Sequence, residues 1–440
     1  MPQFATGTRR RAAFTAAVTL SLALLPRLAL AQDRVPDPLP LESAITIALE
    51  RSPRLASARA AVAVARADTL DATLRPNPAL SIESSSYPLF GSPHPSFWNG
   101  QEFSLRVDQE FETGGRRRLR TDAANMRVQA AEATLANSQR LLAFEVRRAY
   151  LEVVLAVADL DAANRSLAEV DQLIALNRAR LEQGEISGVE VRRVQVERLR
   201  FSDDASAAEL GVRRARSALL ALLAYQDLSQ RFDAATPLTS PSASVASPSP
   251  LAQVGLDIPA LQIRALEARH DVRSARAEET RAATLTQLQR ALGTPNITAG
   301  GGYSRDFGRS GVVFGVTVPL LLSNRNQGGI ARADAEQQVA ASERAIVETI
   351  VRLEIQQAAD AADIARARVT AIERDYLPSA RQALDTVLAS YRVGAANLID
   401  LLDAQRAFRD TQRTFNRALF AWHLSIAELT AAIGEPLSGR

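Results

Sequence analysis

The sequence predicts a mainly α-helical fold with a small β part, assembled from two copies of one unit. Three observations predict it. First, the stretch around Gly184, R-L-E-Q-G-E-I-S-G-V-E-V-R-R-V-Q, returns around Gly394 as S-Y-R-V-G-A-A-N-L-I-D-L-L-D-A-Q. The glycines lie 394 − 184 = 210 residues apart, and Gln195 and Gln405 keep that offset. So long a period marks a duplicated half-protein, since solenoid units recur every few tens of residues. Second, apolar residues recur at heptad spacing over stretches far longer than a globular helix. Third, each half carries two short runs of apolar–polar alternation, the period of a half-buried strand.

The chain opens with Arg9, Arg10 and Arg11, an apolar stretch from Ala12 to Leu25, and Ala29-Leu30-Ala31. That is the pattern of a secretory signal, residues 1–31, too short to serve as a membrane anchor. The first repeat, residues 32–224, begins with Leu41, Ala44, Ile45, Ala48, Leu49, Leu55, Ala58, Val62 and Ala65 on one helix face. Arg75-Pro76-Asn77-Pro78 stops that helix, because proline lacks a donor and clashes with the preceding turn. Two strands follow, one over Leu80, Ile82 and Ser84 and one from Phe103 to Phe111. They flank a loop holding Tyr87, Phe90, Phe97 and Trp98.

Thr113-Gly114-Gly115 breaks the second strand, and a helix is expected from Arg116 to Gln183, about 100 Å long. Its seam is Val153, Leu160, Leu167, Ile174 and Leu181; the return seam is Val194, Phe201, Ala208, Ala215 and Leu222. A Pro/Ser-rich connector covers residues 225–257, and the second repeat, 258–434, runs the same programme. Its strands fall near 296–305 and 312–318. Its descending helix, from about Ile330 to Arg392, is expected to kink at Pro378. Its return seam is Leu401, Phe408, Phe415, Trp422 and Leu429, and residues 435–440 form a tail.

Composition excludes several functions. With 52 basic and 49 acidic residues, the formal charge is +3 and the signs are interspersed, so nucleic acid is not an expected partner. Cysteine is absent, which removes disulfides, thiolate sites and a lipid on cysteine. His94, His270 and His423 are far apart, and no H-E-x-x-H, P-loop or G-x-S-x-G occurs. Neither catalysis nor a cofactor nor a metal site is expected.

Four strands of about ten residues with one apolar face suit an outer-membrane barrel, yet four cannot close, and open edges are not tolerated in lipid. Three copies would supply twelve strands and a common helical tube. The alternative from pattern alone is a soluble periplasmic helical protein bearing two hairpins.

The chain resembles the TolC family of outer-membrane efflux factors over nearly its whole mature length. The features that carry the likeness are L-x-x-A-I-x-x-A-L-x-x-S-P, R-P-N-P, Q-E-F-E-T-G-G-R-R-R, V-P-L-L-L-S-N-R-N-Q-G-G-I and S-Y-R-V-G-A-A-N-L-I-D-L-L-D-A-Q, in that order. R-P-N-P, E-x-G-G-R-R and S-N-R-N-Q-G look most like the branch serving cobalt–zinc–cadmium and copper–silver efflux. The resemblance implies a homotrimer with a 12-stranded outer-membrane β-barrel and a periplasmic α-barrel. It also implies docking to a periplasmic adaptor (a membrane fusion protein) and an inner-membrane proton-driven transporter of the RND type. The function expected is passive export of heavy-metal cations; the same duct for drugs and organic compounds, or for secreted polypeptide, is the alternative.

Candidate site residues cluster at the two turns. Asp400 and Asp403 share a helix face, with Leu398, Ile399, Leu401 and Leu402 expected on the core side. Threefold repetition would make carboxylate rings that attract cations; the plainer reading is solvated acids near a helix N-terminus. Glu190 is the counterpart of Asp400, and the resemblance places Glu190 and Tyr391 at positions that hold the closed tip. The family's tip arginine is replaced here by Ala396. Gly184 and Gly394 suit left-handed turns, and with Gly188 they are the expected tips for adaptor docking. Arg116, Arg117, Arg118 and Arg120 could meet lipid phosphate or nearby acids.

Overall fold

The computed structural model describes residues 34–85, 102–240, 257–306 and 309–434. The expected signal segment, the aromatic loop with His94, the centre of the connector and the tail lie outside the described residues.

The first repeat comprises α1 (Leu41–Arg51), α2 (Pro53–Thr73), β1 (Ala79–Ser85), β2 (Glu102–Phe111), α3 (Arg116–Glu182) and α4 (Gly188–Leu222). The second comprises α5 (Ile258–Ala268), α6 (His270–Ala291), β3 (Ile297–Asp306), β4 (Arg309–Thr317), α7 (Gln327–Ala371), α8 (Leu377–Arg392) and α9 (Leu398–Ile433). The order of elements repeats, as the duplication predicts.

The expected first helix is broken in two. Ser52 precedes Pro53 and is extended, at φ −60° and ψ 122°, because the proline ring disfavours helical backbone in the residue before it. The second repeat breaks at Arg269, also extended, without a proline. There the side chain holds the bend. Arg269 is 2% exposed and pairs with Asp271 at 2.5 Å and with Glu354, and it donates to the Ala432 carbonyl at 3.1 Å. Gly434, at φ +85°, lies against it; a Cβ there would come within 2.8 Å of Arg269 Cγ.

Helix α3 runs unbroken for 67 residues. Its buried line starts at Val153 but passes through Ala162, Ala163, Ser166, Val170, Leu173, Ile174 and Asn177, while Leu181 is exposed. A straight helix drifts about 20° per heptad against a strict seven-residue repeat, so the expected seam rotates away from its start. For the same reason α4 buries Val194, Phe201, Ala205, Val212 and Leu219, leaving Ala208, Ala215 and Leu222 half-buried. In α9, Leu401, Trp422 and Leu429 are buried as expected, and Phe408 and Phe415 are half-buried.

The descending strut of the second repeat bends where proline predicts. Between α7 and α8 the residues Ile372–Tyr376 form a single π-helical turn, and Pro378 is the second residue of α8. The wider turn accommodates a residue that has no N–H and whose ring opposes the carbonyl one turn back.

The strands form one antiparallel sheet in the order β1-β2-β3-β4. Register places Leu80 opposite Val107, Leu105 opposite Tyr303, and Tyr303 opposite Val312. One face therefore carries Leu80, Ile82, Leu105, Val107, Tyr303, Val312, Phe314 and Val316, all exposed, Phe314 by 82%. The opposite face carries Ser81, Glu83, Ser104, Arg106, Asp108, Glu110 and Thr298. Both edges, β1 and β4, lack a partner strand among the described residues.

Two of the four basic residues that open α3 hold the sheet–helix junction. Arg116 donates to the Ala291, Leu292 and Thr294 carbonyls and Arg120 to Glu112 and the Ala72 and Leu74 carbonyls, whereas Arg118 only meets Asp122 one turn along α3, at 3.5 Å. Residues of the connector also pack inward: Tyr225 and Phe232 are buried, and Leu39 pairs with the 233–235 backbone.

Candidate gate at the hairpin end

The two turns are copies of each other at atomic detail. Gly184 (φ +78°) and Gly394 (φ +79°) adopt the left-handed conformation expected of them. In the first turn Glu185 N donates to the Arg180 carbonyl at 2.9 Å; in the second Ala395 N donates to the Ser390 carbonyl at 2.8 Å. These reverse bonds satisfy carbonyls that the helix end would leave open. Gly188 differs: it is the first residue of α4, and its backbone is not left-handed.

Immediately above the turns, the α3–α4 and α8–α9 hairpins share one core of Val170, Leu173, Ile174, Val194, Phe201, Leu384, Tyr391, Leu398, Leu401 and Leu402. Tyr391 is 3% exposed within it. Its hydroxyl donates to Asn177 Oδ1 at 2.7 Å, and Arg180 donates to its backbone carbonyl while stacking on its ring at 5.2 Å. Burial pushes the Tyr391 phenol above its ordinary value, and the Glu190 carboxylate pushes it the same way against Asn177 and Arg180. Glu190 is thus a neighbour of Tyr391, in the first turn of α4, but the tyrosine's bond goes to Asn177.

Asp400 and Asp403 are both exposed on the first turns of α9. Asn397 caps the helix by accepting from Asp400 N at 2.9 Å. Leu398, Leu401 and Leu402 are buried as expected, but Ile399 is 48% exposed and belongs to the outer side. Asp403 is paired with Arg406 at 3.1 Å. Arg406 also reaches across to Glu197 of α4 at 2.6 Å, and Glu197 is only 10% exposed. One turn further, Arg409 meets Asp204 at 2.7 Å over the ring of Phe201.

Sequence reading missed Asn177, Arg180, Glu197, Arg406, Asp204 and Arg409. A signal existed for some: Arg406 and Arg409 follow Asp403 at helical spacing, and Glu197 lies one heptad after Glu190. Among the described residues no group of three metal-ligating side chains comes together, and no helix is long and apolar enough to cross a membrane.

The chain matches the family model described as outer membrane efflux protein over residues 44–224 and 261–435, one match per repeat. It is 26% identical over 373 residues to the cobalt-zinc-cadmium resistance protein CzcC of Cupriavidus metallidurans, covering 84% of each chain. It is 25% identical over 305 residues to the outer membrane efflux protein BepC of Brucella suis, covering 68% of this chain and 65% of that one. The fold is also that of the transmembrane channel CusC, with a TM-score of 0.74 at 22% identity over 90% of this chain and 92% of that chain. A doubled fold, matched repeat by repeat, makes this chain a member of the outer membrane efflux protein family, a family of export channels and not of enzymes.

Proposed function

We propose that three copies of the mature chain form a passive duct from the periplasm across the outer membrane for heavy-metal cations, working with a periplasmic adaptor and an inner-membrane proton-driven transporter of the RND type. One observation carries the membrane reading. The four-stranded sheet exposes an apolar face and, among the described residues, leaves both edges open, a state lipid does not tolerate. Twelve strands from three copies close it, with the apolar face toward lipid and the polar face toward a lumen. The likeness to a cobalt-zinc-cadmium resistance protein over 84% of the chain supports heavy metal as the cargo.

In this reading residues 1–31 are removed on export and the chain is held without lipid on cysteine. The two repeats, 32–224 and 258–434, with the 225–257 connector, are the units that surround the duct. Asp400 and Asp403 ring the periplasmic mouth and favour cations, Glu190 and Tyr391 belong to its closure, and the turns at Gly184, Gly188 and Gly394 meet the adaptor.

Purified from outer membranes, the protein should have three times the mass of the mature chain and conduct ions in planar bilayers. Deletion should sensitise cells to cobalt, zinc or cadmium and leave drug tolerance unchanged. A monomer free in the periplasm would overturn the duct. Drug sensitivity without metal sensitivity would move the cargo to organic compounds, and loss of a secreted protein would move it to polypeptide.

A further inference from the structure

We infer that Arg106 and Asp108 set the ion preference of the membrane part of the duct, as a charge-compensated collar lying flat on a floor of glycines. The inference rests on the reading above, in which the polar face of the sheet lines the lumen.

Arg106 and Asp108 are two residues apart on β2, so both side chains rise from the polar face. They pair at 2.7 Å, with side chains 32% and 24% exposed. Register sets Arg106 opposite Gly302 and Asp108 opposite Gly300 on β3, and Gly300 opposite Gly315 on β4. None of these glycines is left-handed, so the turn chemistry that usually explains glycine does not apply. Gly300 and Gly315 lie directly beneath the two charged side chains, and Gly302 lies against the β2 backbone as well as the Arg106 stem. A Cβ on Gly300 would overlap the Asp108 carboxylate. One on Gly302 would strike the Leu105 carbonyl oxygen of β2 and lie 2.8 Å from Arg106 Cγ, and one on Gly315 would lie 3.1 Å from Arg106 Nη2. Arg106 therefore leaves β2, crosses β3 at Gly302 and ends over Gly315, with its guanidinium laid along the wall.

Two consequences follow in a closed barrel. Twelve strands about 4.8 Å apart and tilted about 40° give a backbone diameter of about 24 Å. Three arginines standing upright would fill much of that width; three lying on glycine leave it open. Each copy also contributes one positive and one negative charge at the same height, so the collar is neutral while both charges remain. Screening is about 8 Å at physiological salt but about 30 Å at about 10 mM, so only dilute salt lets the collar act across the whole aperture. Removing Arg106 exposes three carboxylates to the lumen, and removing Asp108 exposes three guanidinium groups.

The test uses the full trimer in planar bilayers under a KCl gradient with the dilute side at about 10 mM. Arg106→Gln should raise the potassium-over-chloride permeability ratio at least about threefold, and Asp108→Asn should lower it by a similar factor. The double variant should return near the wild-type ratio, and the differences should shrink in about 1 M salt, where screening falls to about 3 Å. Gly315→Val keeps both charges but lifts the guanidinium into the lumen, and it should lower single-channel conductance. Conducting trimers in which both single variants keep the wild-type ratio overturn the collar, as does unchanged conductance in Gly315→Val. Failure of the duct reading looks different: wild-type protein that does not conduct at all.

Discussion

Tyr391→Phe removes one oxygen from the core that joins the two hairpins. The Tyr391 hydroxyl donates to Asn177 Oδ1 at 2.7 Å, and Asn177 is fully buried on α3. The Asn177 Nδ2 already has no hydrogen-bond partner. After the substitution both ends of a buried amide are unsatisfied, which costs about 1–3 kcal/mol. That corresponds to a factor of about 5–150 in the local opening equilibrium. Hydrogen exchange of the purified protein reads it directly. Amides at the C-terminal ends of α3 and α8 and in the turns at Gly184 and Gly394 should lose protection by that factor, while the sheet and α2 keep theirs. A second variant isolates the cause. Tyr391→Phe combined with Asn177→Leu replaces both polar partners with apolar groups, which is nearly neutral when shape is kept, so most of the protection should return. Unchanged exchange in the single variant, or a double variant as loose as the single, would refute the reasoning.

Three other outcomes are expected. Asp400→Ala with Asp403→Ala should lower cation selectivity and weaken block by multivalent cations, and Asp400 should account for more of the effect, since Arg406 already pairs with Asp403; unaltered conductance properties in the double variant would remove these acids from the gate. Arg269→Ala strips Asp271 and Glu354 of a cation that is 2% exposed and frees the Ala432 carbonyl, at a cost of about 3 kcal/mol, read as a lower melting temperature of the purified protein. Burial pushes the His423 imidazole below its ordinary value of 6.5, and His270 is lowered likewise, by burial first and then by the neighbouring Arg273 and Arg140. For both groups the unfolded chain takes up a proton first, so their stabilisation is present above the ordinary value and is lost as pH falls from there through the depressed folded value. The urea midpoint should therefore drop on acidification through pH 6.5, and His423→Gln, which removes the titrating group bonded to Thr239, should make that drop smaller.

The sequence made the duplication, the 67-residue strut, the four strands and both left-handed glycines legible, because each rests on local periodicity or on one residue's backbone freedom. What it hid depended on rotation or on distance. Leu181 leaves the expected seam because small departures from a 3.5-residue repeat accumulate along a long helix. The break at Arg269 has no proline to announce it; the ion pairs of its buried guanidinium, one of them to a residue far along the chain, hold it instead. The partner of Tyr391 was hidden for the same reason. Asn177 lies 391 − 177 = 214 residues away, and a lone asparagine in a leucine-rich helix has no local pattern that distinguishes it.

The two hairpins of one chain are related by sequence, yet the links between them are not symmetric. Shifting by the repeat offset of 210 turns Asn177 into Val387 and Tyr391 into Leu181, so the reciprocal of the buried polar bond is a pair of apolar residues. The same shift turns Glu197 into Ala407 and Arg406 into Val196, which erases that ion pair too. In a ring of six hairpins from three copies, the junction inside each chain would carry the polar links, and the junction between copies would lack them. Links that need a buried partner fail cooperatively, whereas apolar contacts slide. Opening of the periplasmic end should therefore move each chain's hairpin pair as one body and separate the copies. The absence of cysteine makes this measurable by spin labels at Glu185→Cys alone and at Glu185→Cys with Ala395→Cys together. Copy-to-copy distances at 185 should widen when the duct opens while the 185–395 distance within a chain holds; an equal change in both would show that the hairpins part inside the chain, and that the buried Tyr391 bond does not bind them.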